Sequence, residues 1–302
     1  MMAAAVPNFW RWQPHPEVWF VLISLVVLGW YAARVIGPKV VPAGEPIVTR
    51  RQRGFFVAGL LTLWLAADWP LHDAAEQYLY ALHMTQHFLL AYVVPPLFLL
   101  ATPTWLARLV IGHGRVQRWL RVLAFPVIAA VLFNGVVIFT HWPAAVNLSV
   151  SNGIVHYGVH LLVVFSALIM WTPVCGPIPE WRISLPGQMV YLFLMSIVPT
   201  VPAAWLTLGE TIIYTSYDTP LRLWGISALA DQQMAGLIMK LGGSAYLWSV
   251  ITVMFFQWAY RHEQAERTGA VLSERDVLTW DQVEAEFDEH PAPVETAPQR
   301  DP

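Results

Sequence analysis

The sequence predicts an all-α protein, a polytopic bundle of seven transmembrane helices with its N-terminus outside and its C-terminus in the cytoplasm. Of its 302 residues, 57% are hydrophobic and only 12% are charged, and the mean hydropathy is +0.51. A soluble domain is about a quarter charged, so this composition indicates a membrane protein. The apolar segments are too long to be half-buried strands, and lipid favours helices because they pair every backbone polar group within the segment.

Seven apolar segments are visible along the first 260 residues. They are Val18–Ile36, Phe55–Ala67, His83–Ala101, Val122–His141, Gly153–Thr172, Gln188–Leu208 and Leu229–Tyr260. The second is short, and we expect it to extend into Arg53 and Asp68. Only Arg11 precedes the first segment, and no small-residue cleavage pattern follows it, so we interpret this segment as a retained span.

Prolines interrupt several of these segments. Pro95 and Pro96 fall inside the third, where they remove hydrogen-bond donors and free backbone carbonyls such as that of Ala91. Pro126, Pro199 and Pro202 are likewise expected to bend the fourth and sixth segments. Neighbouring helices must then satisfy the freed groups.

The distribution of lysine and arginine predicts the orientation. Of the 17 basic residues, 14 fall at the end of the first segment, in the loops after the first, third and fifth segments, or in the tail. Arg11 and Arg222 lie on the other side, and Lys240 lies within the seventh segment. Because basic residues accumulate on the cytoplasmic side, the C-terminus is predicted to lie inside.

The composition changes at Arg261. The last 42 residues hold eleven acidic residues against four arginines, and Ser273 begins a pattern that resembles a capping box. Apolar residues then recur at helical spacing, at Val277, Trp280, Val283 and Phe287. We therefore predict a membrane domain over 1–260 and an acidic cytoplasmic tail over 261–302, with a short amphipathic helix followed by disorder.

Histidine pairs mark the outer ends of two spans. His83 and His87 are four residues apart, with Met84 between them, and His156 and His160 repeat the spacing in the fifth segment. Residues four apart share a helix face, so each pair points one way. Polar residues within spans usually serve a function, and paired histidines on bundle helices commonly build metal or haem sites.

Further candidate ligands fall on the same predicted side. Seven of the ten histidines do so, including His141 at the end of the fourth segment, and Asp231 and Met234 open the seventh. Asp231 is a candidate ligand or a partner that orients an imidazole. Asp68, His72 and Asp73 lie in the adjoining loop and would form a rim suited to a cation.

The single cysteine restricts the choice of metal. Cys175 alone excludes an internal disulfide and a dithiolate site. Imidazoles suit several transition metals and thioethers select Cu(I), so histidine with methionine favours copper. The alternative is a hydrogen-bonded polar cap on the bundle, in which His141 simply ends its helix and each methionine is core packing.

Three other functions fit parts of the pattern. A haem protein would use histidines from two spans, such as His87 and His156, as axial ligands. A retinal protein would use Lys240, but that leaves the outer histidines unexplained. A transporter would need a polar path across the membrane, and the inner halves of the third and fifth segments offer almost none.

Three motifs together resemble a known family. HMTQHFLL…PPLFLLATP at 83–103, HWP…VHYGVH at 141–160 and DQQMAGLIM at 231–239 are similar to the CtaG-type cytochrome c oxidase assembly factors of bacterial membranes. The resemblance covers roughly 55–260. It implies a seven-span protein that helps build the copper centres of haem-copper oxidases. The implied metal-handling residues are His83, His87, His141, His156, His160 and Asp231, with Met84 and Met234 as softer candidates.

These observations together predict a copper-binding assembly factor in the bacterial inner membrane. It would bind copper as Cu(I) at its outer face and deliver it to the oxidase subunit that carries a copper centre. The expected partners are that subunit, the lipid bilayer and a periplasmic copper donor, and no nucleic acid. The role is that of a chaperone, so we expect no enzymatic turnover.

Overall fold

The computed structural model describes residues 11–218 and 223–275, with side chains described to residue 268, and these ranges contain helices and loops but no β-strand. The predicted all-α class is confirmed. In chain order the helices are α1 (Pro16–Val40), α2 (Arg50–Ala67), α3 (Leu71–Gln77), α4 (Tyr80–Ala101), α5 (Thr104–Ile111), α6 (Arg115–Leu123), α7 (Pro126–Thr140), α8 (Pro143–Ser151), α9 (Gly153–Cys175), α10 (Leu185–Ile197), α11 (Thr200–Leu208), α12 (Ala228–Leu237) and α13 (Gly243–Arg275).

Six helical stretches of the described residues are long and apolar enough to cross a membrane, and a seventh is present if the bent pair α6 and α7 is one span. The six are Pro16–Val40, Arg50–Gln77, Tyr80–Ala101, Gly153–Cys175, Leu185–Leu208 and Ala228–Thr268. Only 11% of the apolar window of the first is buried by protein. The rest of that surface needs lipid, which agrees with a membrane protein.

The fourth predicted span, Val122–His141, differs from prediction. The chain bends by 71° between α6 and α7. Pro126 occupies the first turn of α7, where its missing N–H costs nothing, so the bend expected at this proline falls just before α7. The 15 residues of α7 extend about 22 Å, less than the roughly 30 Å of a bilayer core.

Three loops that follow alternate spans meet at one end of the bundle, which we call the basic end. The Trp105 indole N–H donates to the Ile47 carbonyl at 2.9 Å, and the Thr104 hydroxyl donates to the Pro177 carbonyl at 2.8 Å. Arg108 pairs with Glu180 at 2.7 Å. The loops predicted to be cytoplasmic therefore lie together, as the charge pattern requires.

The break in α4 is satisfied by a neighbouring span. A π-helical turn over Leu89–Val93 precedes Pro95, and the Ala91 carbonyl accepts a hydrogen bond from the Trp171 indole N–H at 3.1 Å. Trp171 is only 2% exposed. The prediction that the prolines free this carbonyl is confirmed, and a side chain of α9 replaces the lost donor.

Lys240 serves a similar purpose in the last span. It lies in a second π-helical turn, Ile238–Gly242, between α12 and α13. Its ammonium group donates to the Thr200 hydroxyl at 2.5 Å and to the Ser196 carbonyl at 3.3 Å. These groups flank the break between α10 and α11 at Pro199. Lys240 therefore links the last span to both halves of the sixth predicted span.

The end of the chain is only partly described. α13 passes through residue 260 without interruption, and Ser273 lies inside it, so Ser273 does not begin a new helix. A second compact unit begins at Phe255. The amphipathic helix predicted from Val277 onward lies outside the described residues, and the division into 1–260 and 261–302 stays a prediction.

We predict that Trp171→Phe destabilises the bundle. The substitution keeps an aromatic ring but leaves the Ala91 carbonyl without its donor, at a cost of about 1–3 kcal/mol for a buried polar group. The measurement is the thermal unfolding midpoint of the purified protein in detergent. Trp119→Phe is the matched control, because Trp119 is 69% exposed and should leave the midpoint unchanged. Equal midpoints for the two variants would contradict this role for Trp171.

Candidate metal centre

A carboxylate from the last span fixes the start of α4. Leu79 precedes this helix and offers no capping side chain. Instead the two oxygens of Asp231, which is 1% exposed, accept the backbone N–H groups of Tyr80 and Ala81, each at 2.9 Å. A negative charge at a helix N-terminus is favourable because those N–H groups have no partner within the helix. The clamp holds His83 and His87 in the first two turns at a set depth.

The start of α9 is fixed by the side chain of its own N-cap residue, Asn152. The Asn152 side-chain oxygen accepts the backbone N–H groups of Ile154 at 3.0 Å and Val155 at 3.2 Å. This cap begins the helix one turn before His156. His156 and His160 therefore face α4 from the first two turns of α9, as His83 and His87 do from α4.

The four histidines form one cluster between α4 and α9. The ring centroids of His83 and His87 are 4.5 Å apart, and those of His156 and His160 are 4.3 Å apart. Across the two helices, His87 lies 4.9 Å from His160, and His83 lies 5.6 Å from both His156 and His160. Two pairs 73 residues apart along the chain thus converge, as their spacing predicted.

Three of these side chains meet the geometric requirement for one ion. One nitrogen from each of His83, His87 and His160 lies within 4.8 Å of the other two. We call this set the buried triad. Nitrogen ligands bind zinc-like ions at about 2.0–2.1 Å, so two ligands on one ion are separated by at most about 4.2 Å. Small side-chain movements would bring these nitrogens to that separation.

Several ring nitrogens in this region are buried without a hydrogen-bond partner among the described residues. They are Nδ1 of His83, and Nε2 of His87, His141 and His160. Most buried polar atoms in proteins are paired, and an unpaired one needs an explanation. A lone pair that faces no donor is the state in which an imidazole can bind a metal ion.

His141 has one ring nitrogen held by a hydrogen bond and the other available to bind a metal ion. Its Nδ1–H donates to the Val137 carbonyl at 2.7 Å, which leaves a bare lone pair on Nε2 in the neutral ring. Together with His87 and Met84 it lines a cavity of about 50 Å³. His141 belongs to none of the three-ligand sets of the described residues, so it lies beside the buried triad and not within it.

Tyrosines close the centre toward the loops. The Tyr80 ring stacks on His83 at 6.0 Å, and Tyr217 lies 6.2 Å from the same imidazole. The Tyr214 hydroxyl donates to the His141 carbonyl at 2.7 Å. Burial raises the pKa of Tyr214 to about 12, so this hydroxyl keeps its proton. No spacing in the sequence pointed to these residues.

The remaining predicted ligands are placed differently. Met84 is 3% exposed and packs beside the cavity. Both oxygens of Asp231 are engaged by the α4 clamp, which gives it a structural role that the sequence did not indicate. Met234 is 42% exposed and belongs to neither the cavity lining nor a core cluster of the described residues. Metal ligation by any of these residues stays a prediction.

Comparison with known proteins adds one finding. The family model described as cytochrome c oxidase caa3 assembly factor matches residues 38–261. This range covers well over half of the chain and every residue of the buried triad. No curated protein and no solved structure matches the chain.

We predict that Asp231→Asn destabilises the protein even when all metal has been removed by chelation. An amide offers one acceptor and one donor group, so one of the two N–H bonds is lost, at a cost of about 1–3 kcal/mol. The unfolding midpoint of chelated protein tests this. Asp218→Asn is the control, since Asp218 is exposed. A loss of stability seen only when metal is present would instead favour a ligand role.

Proposed function

The chain belongs to the cytochrome c oxidase caa3 assembly factor family, and from this premise we propose that it holds Cu(I) at the buried triad and delivers it to an oxidase subunit. The membrane is the bacterial inner membrane, with the histidine cluster at its outer face. The orientation rests on the positive-inside rule and on the gathering of the basic loops at the opposite end.

One observation supports the copper proposal above the others. The nitrogens of His83, His87 and His160 lie within 4.8 Å of one another, and each of these rings has a buried nitrogen without a partner among the described residues. A hydrogen-bonded polar cap, the alternative interpretation of these histidines, would pair such atoms. A bound cation that prefers nitrogen ligands would pair with these ring nitrogens and so remove the free-energy cost of burying them without a partner.

The ligand set favours copper in its reduced state. Imidazole suits zinc, copper, iron and nickel, whereas a thioether selects Cu(I), and Met84 borders the cavity beside His87. Cys175 is the only cysteine of the chain, so no thiolate pair competes. Neutral imidazoles and a thioether add no charge, so the ion keeps its attraction to a more anionic acceptor.

Delivery then requires ligand exchange and no covalent chemistry. His141 offers a bare nitrogen beside His87, so one imidazole can leave the ion as another takes its place. An oxidase subunit with thiolate ligands would complete the transfer, because deprotonated thiols are softer and charged. A periplasmic donor would supply the ion from the same side.

The haem alternative fits this geometry less well. Histidine rings that lie 4.3–5.6 Å apart leave no gap for a macrocycle between them. The adjoining cavity is about 50 Å³, whereas pockets for small organic ligands are roughly 300–1,000 Å³.

We predict that the double variant His83→Ala, His87→Ala loses the tightly bound copper of the buried triad, so that its copper content falls below that of the wild-type protein. Two of the three ligands of the buried triad are removed, and the remaining imidazole cannot hold the ion alone. The measurement is metal analysis of protein purified from copper-supplemented cells, beside a visible spectrum, which should show no Soret band.

The matched control is His113→Ala, His262→Ala, which removes two exposed histidines outside the cluster. It should retain the copper content of the wild-type protein. Unchanged copper in the His83→Ala, His87→Ala variant, or a Soret band in the wild-type protein, would contradict the proposal.

A second prediction concerns the cell. Cells that carry only the His83→Ala, His87→Ala variant should show less oxidase activity at low copper and should regain much of it when copper is added. Excess copper can reach the oxidase without an assembly factor, which is why rescue is expected. Full activity at low copper would contradict delivery, and a defect that copper does not rescue would indicate another assembly role.

A further inference from the structure

Ligand groups continue from the buried triad toward the surface. Two more sets of three residues place one ligand atom each within 4.8 Å of the others. One set is His72, Glu76 and His156, and the other is His15, His72 and Asp73. His15 and Glu76 were not among the ligands expected from the sequence, although Glu76 stands four residues after His72 and so shares its helix face.

The set of His72, Glu76 and His156 joins α3 to α9. One oxygen of Glu76 lies 3.3 Å from Nε2 of His72 and 2.7 Å from Nε2 of His156. His72 and His156 are 4% and 7% exposed. Nδ1 of His72 is buried without a partner among the described residues. Two imidazoles and one carboxylate are a common ligand set for transition metals.

His156 links this set to the buried triad. Its ring lies 6.4 Å from that of His72 on one side and 4.3 Å from that of His160 on the other. The Ser149 hydroxyl lies 3.4 Å from Nδ1 of His156, which leaves Nε2 directed at Glu76. Adjacent imidazole rings along the cluster are therefore 4.3–6.4 Å apart.

We propose that His72, Glu76 and His156 form a second cation site, the outer site, which receives Cu(I) and passes it through His156 to the buried triad. The identity of the ion rests on the proposed function. The existence of the site rests on its own three ligands.

The difference in charge between the two sites gives the path a direction. The Glu76 side chain is 36% exposed and carries the negative charge that attracts a cation, whereas the buried triad is formed by imidazoles alone. An ion that binds first at Glu76 has carboxylate oxygen and water among its ligands. As it moves through His156 to the buried triad, imidazole nitrogens replace these oxygen ligands. Softer ligands hold Cu(I) more tightly, so the exchange runs inward.

The first segment of the chain supports the outer site. The His15 ring lies 4.6 Å from that of His72, and its Nε2 lies 3.1 Å from Asp73. Its Nδ1 contacts Glu17 at 3.3 Å, and Glu17 accepts a hydrogen bond from Tyr157 at 2.9 Å. These contacts tie the start of α1 to α3 and α9, and they hold His72 against Glu76.

The test measures Cu(I) loading of the full-length protein in detergent, without oxygen, from a chromogenic Cu(I) chelator. Glu76→Gln keeps the size of the side chain and removes its charge. We expect loading to slow by roughly tenfold or more, because a charged cleft raises the association rate of a counter-ion by 10–1,000-fold. Glu210→Gln is the control, since it neutralises an exposed carboxylate outside the three ligand sets. It should load at the wild-type rate.

A second arm isolates the outer site. The background variant His87→Ala, His160→Ala removes two ligands of the buried triad and leaves the outer site intact. It should retain one weakly held Cu(I), and addition of Glu76→Gln should weaken that binding by roughly tenfold or more. Unfolding midpoints equal to that of the background variant confirm that the added substitution leaves the fold intact.

The outcomes separate the two proposals. A wild-type loading rate in Glu76→Gln, or a background variant whose residual Cu(I) binding does not depend on Glu76, would overturn the outer site. Full, tight copper binding by the background variant would instead overturn the buried triad and with it the proposed function.

Discussion

The rest of the structure depends on imidazole nitrogens that lie buried between two membrane helices and have no hydrogen-bond partner among the residues that the structure describes. An unpaired polar atom in an apolar region costs about 1–3 kcal/mol, and the rings of His83, His87 and His160 each have one. A fold that only needed to be stable would place apolar side chains at these positions. A bound cation turns the same atoms from a cost into the source of affinity, which is why the cluster indicates a metal centre more strongly than any one histidine does.

The surrounding structure holds the cluster in place. α4 would have an uncapped start and a broken middle, because Leu79 offers no cap and Pro95 removes a donor. The Asp231 carboxylate on α12 accepts the free N–H groups at the start of α4, and the Trp171 indole on α9 donates to the carbonyl freed by Pro95. Both sets of hydrogen bonds come from other spans, so the depth and rotation of α4 are fixed relative to its neighbours. A ligand set that must close around one ion within fractions of an ångström needs this kind of support.

Much of this arrangement could be predicted from the sequence. The i, i+4 spacing of the two histidine pairs and the alternation of basic loops fix which helix faces and which ends of the spans come together, since both depend on local periodicity and on membrane sidedness. The freed carbonyl of Ala91 followed from the chemistry of proline. The clamp by Asp231 could not be predicted, because it joins residues 150 positions apart through backbone groups that have no sequence signature. The bend at Pro126 was predicted, but the short length of α7 was missed because hydropathy does not show how far a bend divides an apolar segment. Glu76 was missed because its loop forms the short helix α3.

The most direct test of the copper centre is X-ray absorption spectroscopy of the purified protein loaded with Cu(I). A Cu(I) ion at the buried triad should show a first shell dominated by nitrogen at about 2 Å, with the outer-shell scattering of two or three imidazoles. That scattering should fall sharply in the variant that lacks His83 and His87. A first shell of oxygen or sulfur without imidazole scattering, or a spectrum that the double substitution leaves unchanged, would contradict a copper centre at the buried triad.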